Sequence, residues 1–255
     1  MSRSSRRVAS TILASLGLLA VSAPAHAQWP VTRLKNVKVL PSDITVDSLV
    51  GTMRTFTRAL GVRCSYCHLG KEGEPLSAYD FASDERPEKE KARAMLRMVG
   101  DINGTYLARL TARRDPAIVV QCATCHHGVA QPRPLQQVLI AAYAGGGVDS
   151  LDHTYRALRQ RYYGSAAYDF GEVPLAEVAA ELALRNKLPD AVRVHLLNTE
   201  MSPTSTFAHW MAGAAMLSAG DTTGAIASLR KAVALNPNNQ GALGLLRKLG
   251  QQPQH

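Results

Sequence analysis

The chain has 255 residues and a formal net charge of +9 at pH 7, with 29 Lys and Arg against 20 Asp and Glu. Aromatic residues make up only 5% of it and the basic residues form no continuous stripe, so the composition argues against a nucleic-acid-binding protein. A modest positive balance instead suits docking to an acidic protein partner or to an anionic membrane surface.

The segment 1–27 has the pattern of a secretory signal peptide. Three arginines open the segment, residues 8–21 are mostly apolar, and Ala-His-Ala at residues 25–27 is a small-x-small cleavage site. The apolar run is short for a membrane span of about 20 residues, so we favour cleavage over an uncleaved anchor. We therefore predict an exported, periplasmic or otherwise extracytoplasmic mature chain that begins at Gln28.

A five-residue pattern, Cys-x-x-Cys-His, occurs twice and uses all four cysteines of the chain. It is the attachment signature of a c-type haem, because two thiols three positions apart can reach both vinyl groups of one porphyrin. The next residue, a histidine, then supplies the proximal nitrogen ligand of the iron. The predicted attachment residues are Cys64, Cys67, Cys122 and Cys125, and the predicted axial histidines are His68 and His126. We therefore predict two covalently bound haems.

Two alternatives stay open for these cysteines. Two Cys-x-x-Cys pairs also occur in zinc sites, although Cys122 follows Cys64 by 58 positions and each pair carries an additional histidine. Two redox dithiols or two buried disulfides would suit an oxidising compartment. With structural cysteines of this kind, the chain would be an interaction protein and not a haem protein.

The stretch before the first motif is predicted to form an amphipathic helix. Apolar residues recur at helical spacing over residues 46–60, a Ser, Asp or Thr just before them offers an N-cap, and Gly61 ends the helix. Met53 lies on the apolar stripe, eleven positions before Cys64. Its thioether is a candidate sixth ligand of the first iron, and the alternative role is that of a core side chain.

The second motif follows the same plan. Pro87 suits the first turn of a helix, and apolar residues continue at helical spacing to Leu110, whereas the Lys and Arg residues fall largely off this stripe. Met95 and Met98 both lie on the core side, so one is a candidate sixth ligand and the other a packing residue. His127 is a further candidate, but it adjoins the axial histidine and cannot reach the same haem axis from the opposite face.

Between the two units, residues 69–86 form a connection rich in glycine and charged residues, which we predict to be mostly solvated loop. Tyr79 and Phe81 are the aromatic residues of this connection. They either cover a haem edge or pin the loop to the body of the protein.

Several segments of this half resemble one known family. Residues 95–103 (MLRMVGDIN), residues 121–128 (QCATCHHG) and the prolines Pro132 and Pro134 look like the haem units of the cytochrome c subunit of photosynthetic reaction centres. The resemblance covers roughly residues 36–135. In that family each haem is carried by a helix, a turn and Cys-x-x-Cys-His, with a methionine of the helix as sixth ligand for most haems.

By this resemblance Met53 is the sixth ligand of the first haem and Met98 that of the second. The family proper has four haems, and many members carry a lipidated cysteine, whereas this chain has two motifs and no cysteine outside them. The resemblance therefore implies an electron-transfer protein built from half of that design, serving a respiratory or other extracellular route.

The remaining residues are predicted to be helical. A Gln-Pro-Arg-Pro linker at residues 131–134 precedes two short helices, which three glycines at residues 145–147 separate. From Pro174 onward the periodicity predicts five further helices. This stretch fits a tetratricopeptide-type repeat. The positions that match the repeat are Gly213, Ala225, Leu229, Ala232 and Pro237.

An earlier, degenerate copy is expected over about residues 172–205. Its evidence is a spacing of 34 positions, from Ala191 to Ala225 and from Pro203 to Pro237. Such repeats either bind a protein partner or only cap the fold.

The predicted fold is mostly α, in four segments. These are the signal peptide at 1–27, a di-haem cytochrome domain at 28–135, a helical linker region at 136–171 and a tetratricopeptide-like domain at 172–255. The predicted function is transfer of single electrons between redox partner proteins. A di-haem peroxidase is the enzyme alternative, and it needs a displaceable iron ligand with a nearby acid–base group that the sequence does not display.

Overall fold

The computed structural model of the chain describes residues 33–111 and 116–251. The predicted signal peptide lies outside the described residues. The described part is mostly helical, which confirms the predicted fold class. Its α-helices are α1 (Val46–Leu60), α2 (Pro87–Asp101), α3 (Cys122–His126), α4 (Leu135–Tyr162), α5 (Glu172–Leu184), α6 (Leu188–Met201), α7 (Thr206–Ser218), α8 (Thr222–Leu235) and α9 (Gln240–Lys248).

Short irregular elements join some of these helices. α2 continues through a π-helical turn, Ile102–Tyr106, into a 3₁₀ turn, Leu107–Arg109. Extended pairing in the described residues is limited to an isolated bridge between Leu69 and Asp80. Over residues 33–111 and 116–251, no helix combines the length and the hydrophobicity needed to cross a membrane.

α1 begins and ends as its sequence predicts. Thr45 is the N-cap, and its hydroxyl accepts the amide of Ser48 at 3.2 Å, which satisfies one of the free donors of the first turn. At the other end Gly61 adopts a left-handed conformation with φ +65°, where a residue without Cβ is unstrained. The Val62 amide then donates back to the Thr57 carbonyl at 3.1 Å, and the chain turns directly into the first motif.

The C-terminal half has its own hydrophobic core, built by α4, α5 and α6. Its fully buried apolar side chains include Leu139, Leu151, Tyr155, Leu175, Val178, Leu182 and Val194. Along this half α5 packs on α6, α6 on α7 and α7 on α8, so each helix contacts mainly its neighbours in the chain. Packing between chain neighbours is the pattern of helical repeat proteins.

The segment predicted as a linker region contributes to this core. Leu139 and Leu151 of α4 have no exposed surface, and the Tyr143 hydroxyl donates to Asp190 of α6 at 2.6 Å. The predicted glycine break is present as a kink within α4, at Gly147 and the glycine before it. The segment is therefore folded against α5 and α6 and does not act as a free connection.

Two helix pairs, α5–α6 and α7–α8, carry the predicted repeat positions. Ala191 and Ala225, which are 34 positions apart, are both buried. Gly213 of α7 faces Leu229 of α8 so closely that a Cβ at Gly213 would lie 2.7 Å from Leu229 Cγ. Buried small residues at the equivalent positions support the tetratricopeptide-like assignment, which stays a prediction.

Candidate functional site

The first Cys-x-x-Cys-His stretch folds into a tight turn. Residues Cys64–Tyr66 form a 3₁₀ turn, and the amides of Cys67 and His68 both donate to the Cys64 carbonyl, at 3.3 and 3.0 Å. The backbone bonds hold the two cysteines and the histidine within a single turn, which is the arrangement that one porphyrin would require.

The second stretch forms the short helix α3. At its start the Gln121 amide donates to the Thr124 hydroxyl at 3.0 Å, and the Thr124 amide donates to the Gln121 carbonyl at 3.0 Å. His127, in a left-handed conformation with φ +46°, ends the helix directly after His126. The helix α3 therefore coincides with the Cys-x-x-Cys-His motif, and the two residues that flank the motif are its caps.

All four cysteines are free thiols in this structure. Burial raises the pKa of the Cys67 and Cys122 thiols, so both are protonated near neutral pH. Within the described residues no three His, Cys, Asp or Glu side chains converge as metal ligands do, and these residues include every cysteine. The geometry therefore gives no support to a shared zinc site or to disulfides.

His68 lies in a buried environment. Burial lowers its pKa to about 4, and the nearby ammonium group of Lys89 acts in the same direction, while the backbone of Phe81 partly offsets both. The Phe81 ring packs edge-on against the imidazole, with ring centroids 5.1 Å apart. The histidine is thus held neutral at pH 7, and neutral imidazole is the form that binds iron.

His126 is oriented by a hydrogen bond. Its Nδ1–H donates to the Val129 carbonyl at 2.9 Å. A carbonyl can only accept, so this contact assigns the proton to Nδ1 and leaves Nε2 as the nitrogen available to a metal. The second site therefore has the tautomer that a proximal haem ligand needs.

The connection between the two units is more ordered than its sequence predicts. Tyr79 is buried, its hydroxyl donates to the Lys71 carbonyl at 2.8 Å, and its ring stacks on Phe81. The Asp80 amide donates to the Leu69 carbonyl at 2.9 Å. Tyr79 thus stabilises the folded conformation of the loop through its bond to Lys71, and Phe81 contacts His68. Both aromatic residues therefore contribute to the structure of the first site.

A network of charged residues lies behind this loop and includes a buried arginine of α2. Arg93 is only 7% exposed and pairs with Asp84 at 2.9 Å, and Lys38 pairs with the same carboxylate at 2.6 Å. Arg93 and then Lys38 hold the pKa of Asp84 well below its usual range. The apolar periodicity missed these residues because their long side chains reach inward while α2 keeps its apolar stripe.

Lys89 completes the network on the side of His68. Its ammonium group donates to three successive carbonyls, those of Phe81, Ala82 and Ser83, at 2.9, 3.0 and 2.7 Å. It therefore fixes the backbone that carries the Phe81 ring against His68. The helix α2 belongs to the second unit by its sequence position, and through Lys89 it also stabilises the loop of the first site.

Asn103 links α2 to the second motif. Its side-chain amide donates to the Val120 carbonyl at 2.8 Å, and its carbonyl oxygen accepts the Val120 amide at 2.9 Å. The π-helical turn of Ile102–Tyr106 includes this residue. In the sequence Asn103 is marked only by its place in the segment that resembles reaction-centre cytochromes. Its role depends on its hydrogen bonds with the backbone of Val120, 17 positions later, and sequence spacing does not predict such a contact.

The three candidate methionines differ from the expected core positions. Met53 is half-buried on α1, and on α2 Met95 is 42% and Met98 44% exposed. Neither methionine of α2 is a packed core side chain, contrary to the prediction that both face the core. Because the exposed fractions of Met95 and Met98 are nearly equal, they do not indicate which methionine would bind the iron. The choice of Met98 rests on the resemblance.

The residues present fit a covalently bound haem at each motif. Each site has a pair of free thiols followed by a histidine held neutral or in the required tautomer. The segments that precede the second motif in the chain carry large apolar side chains with substantial exposure. These side chains are Met95, Met98, Tyr106, Leu110 and Val119. Free thiols beside a suitable histidine are what a c-type cytochrome requires.

Comparison with known proteins supports the same class. Residues 26–144 match the family described as the photosynthetic reaction centre cytochrome C subunit. The matched segment contains both motifs and ends just before the glycine kink of α4. The resemblance drawn from the sequence is confirmed, and this part of the chain is similar to reaction-centre cytochrome c subunits.

Two relatives are similar to part of the chain. Cytochrome c-554 of Chloroflexus aurantiacus is 38% identical over 100 residues, which cover 39% of this chain and 21% of the relative. The photosynthetic reaction center cytochrome c subunit of Rubrivivax gelatinosus is 32% identical over 94 residues, which cover 34% of this chain and 24% of the relative. The similarity thus spans less than a quarter of the length of either relative.

Proposed function

We propose that the chain is an exported di-haem c-type cytochrome that carries single electrons between redox partner proteins in the periplasm. Similarity to reaction-centre cytochromes supports covalent haem, and two separately folded motifs support one haem on each. The signal-peptide pattern of residues 1–27 supports export. Both named relatives are cytochromes, which supports electron transfer over catalysis.

Each haem would be held by two thioether bonds, a proximal histidine and a methionine. The proposed residues are Cys64, Cys67, His68 and Met53 for the first haem, and Cys122, Cys125, His126 and Met98 for the second. A bound haem supplies a one-electron couple between ferric and ferrous iron. The chain's own contribution is to fix the positions of these ligands.

The two histidines are fixed in different ways. The bond from His126 to the Val129 carbonyl sets the orientation of the ring and makes its free nitrogen a stronger donor. His68 instead is confined by burial, by the Phe81 ring and by a hydrogen bond with the Phe81 backbone.

The observation that carries the proposal is that each motif forms its own turn with free thiols and a fixed histidine. Purified protein from a host that attaches c-type haem should stain for haem on a denaturing gel and contain two haems per chain. Replacing Cys64 and Cys67 by Ser should leave one haem, and replacing Cys122 and Cys125 should leave the other. Loss of all colour on denaturation would contradict the proposal.

Electron transfer and the peroxidase alternative make different predictions. A spectroscopic potentiometric titration should show two one-electron steps, with absorption typical of His/Met ligation. Fast turnover of peroxide by the reduced protein would favour the enzyme, since it requires a displaceable sixth ligand.

The helical half is proposed to be a tetratricopeptide-like region beside the cytochrome domain. The spacing of Ala191 and Ala225, both buried, and the packing of neighbouring helices support this proposal. The proposed boundaries are 28–135 for the cytochrome domain, 136–171 for the helical region that follows, and 172–255 for the repeats. Limited proteolysis should cut first between the cytochrome domain and the helical half, because α4 shares one hydrophobic core with α5 and α6.

A further inference from the structure

The end of α1 meets the end of the second motif. α1 packs along α3, and the Gly128 amide donates to the Ala59 carbonyl at 2.8 Å. Ala59 is 4% exposed, so this hydrogen bond lies in a buried contact. Because α1 leads into Cys64 and Gly128 follows His126 by two residues, one backbone contact joins the two Cys-x-x-Cys-His motifs.

The turn that makes this contact also orients the second axial histidine. His127 and Gly128 are both left-handed, with φ +46° and +85°, and they reverse the chain directly after His126. Within the turn the Val129 amide donates to the His126 carbonyl at 2.8 Å, and the Val129 carbonyl accepts His126 Nδ1–H. Docking on α1 and orientation of His126 are therefore properties of one four-residue turn.

Gly61 is the residue of α1 that permits this approach. Its left-handed conformation already favours glycine, and a Cβ built on it would collide with the Gly128 carbonyl oxygen and lie 2.9 Å from the carbonyl carbon. The obstacle is backbone and not a flexible side chain, so it cannot move without moving the turn. Any residue other than glycine would push the second motif away from α1.

We propose that Gly61 is a positioning residue that fixes the separation and orientation of the two haem motifs. The inference rests on the proposed function, because it assumes that both motifs carry haem. Gly61 contacts neither cysteine pair, and it acts through the turn of residues 126–129. Its contribution is to hold the two sites close enough for electron exchange within one chain.

The test compares variants of Gly61 with a matched glycine. Gly61→Ala adds a Cβ and backbone strain together, whereas Gly61→Asn tolerates the left-handed conformation and mainly adds the collision. Gly73→Ala is the control, since Gly73 has φ +89° with no atom within 4 Å of its Cβ position. The readouts are the magnetic coupling between the two ferric centres by EPR and the exchange rate of the Gly128 amide.

We expect both Gly61 variants to weaken the coupling and to speed exchange of the Gly128 amide, while Gly73→Ala resembles the wild type. Unchanged coupling in both Gly61 variants would overturn the proposal, as would a wild-type Gly128 amide that exchanges as fast as an exposed one. The second measurement needs no variant, so a folding defect cannot hide the answer. A wild-type protein with fewer than two haems would refute the proposed function instead, and haem quantitation shows this first.

Discussion

Asn103 holds the backbone that leads into the second motif. In the first unit three residues separate α1 from Cys64, so the helix itself sets the position of the motif. In the second unit a long connection lies between α2 and Cys122, and the paired hydrogen bonds from Asn103 to Val120 close it. A single side chain thus replaces the short turn of the first unit.

Replacing Asn103 by Ala should therefore destabilise the second site. Two partly buried backbone groups of Val120 would lose their partners, at a cost of about 1–3 kcal/mol. Denaturant unfolding followed by haem absorption measures this loss. Asn238→Ala, at an exposed position, is the control and should change the unfolding free energy little. Equal stability of both variants would argue against the clamp.

His195 and Asn198 are buried polar residues of α6. The equivalent positions of the second repeat copy, 34 residues later, are the apolar residues Leu229 and Ala232. Asn198 donates to the Glu172 carbonyl at 2.8 Å, which ties α6 to the start of α5. His195 Nδ1 is buried without a hydrogen-bond partner, and burial lowers the pKa of His195 to about 4. The first copy therefore departs from an apolar core at these two positions.

This histidine should make stability depend on pH. Between the usual pKa of 6.5 and the folded value of about 4, the unfolded chain binds a proton that the folded chain does not. The stability is thus fully present above pH 6.5 and is lost as the pH falls toward 4, by up to about 3 kcal/mol.

Denaturant unfolding followed by far-UV circular dichroism at several pH values tests this dependence. His195→Leu, which copies the residue of the second repeat, should flatten the pH profile over that window. His153→Leu, at an exposed position, should keep the wild-type profile. A wild-type free energy of unfolding that does not change across the window would contradict the prediction.

At the scale of the element, α2 presents two methionines of nearly equal exposure, Met95 and Met98. Met98→Leu should lower the reduction potential of one haem and remove its iron–sulfur absorption, because His/Met ligation raises the potential. Met95→Leu is a matched control on the same helix and should change neither. The reverse result would transfer the assignment to Met95, and Met53→Leu should act on the other haem.

The α7–α8 pair depends on a close approach at Gly213. A Cβ there would lie 2.7 Å from Leu229 Cγ and 3.2 Å from the Ala225 carbonyl, so Gly213→Ala should destabilise the helical half by about 1–3 kcal/mol. Gly244→Ala in α9 meets open space and should instead stabilise it slightly through helix propensity. Thermal unfolding by far-UV circular dichroism separates the two, and equal midpoints would contradict the packing argument.

At the scale of the whole molecule, the two halves are expected to unfold separately. Among the described residues, helices α1–α3 do not pack extensively on helices α4–α9. Unfolding followed by haem absorption and by far-UV circular dichroism should therefore give two midpoints that do not coincide. Gly213→Ala should lower only the midpoint that reports the helical half. Coincident transitions in the wild type would show that the halves unfold as one unit.

Much of this organisation follows from local pattern alone. The bounds of α1, with Gly61 as its cap, were predictable because helix periodicity and capping act within a few residues. Arg93 and Lys89 were not predictable, since burial of a charge depends on partners such as Asp84 and the carbonyls of residues 81–83. Packing of α4 into a core with α5 and α6 likewise depends on partners distant in the chain.

The sequence by itself determined the chemistry: two Cys-x-x-Cys-His motifs, the helices before them, and the likeness to reaction-centre cytochromes. These properties are encoded by spacing along the chain, which a single sequence displays directly. Only the tertiary structure decided that Val129 orients His126, that Asn103 holds Val120, and that Gly61 admits the turn after the second motif. Such contacts depend on the folded path of the backbone, and they exist only once that path has brought the groups together.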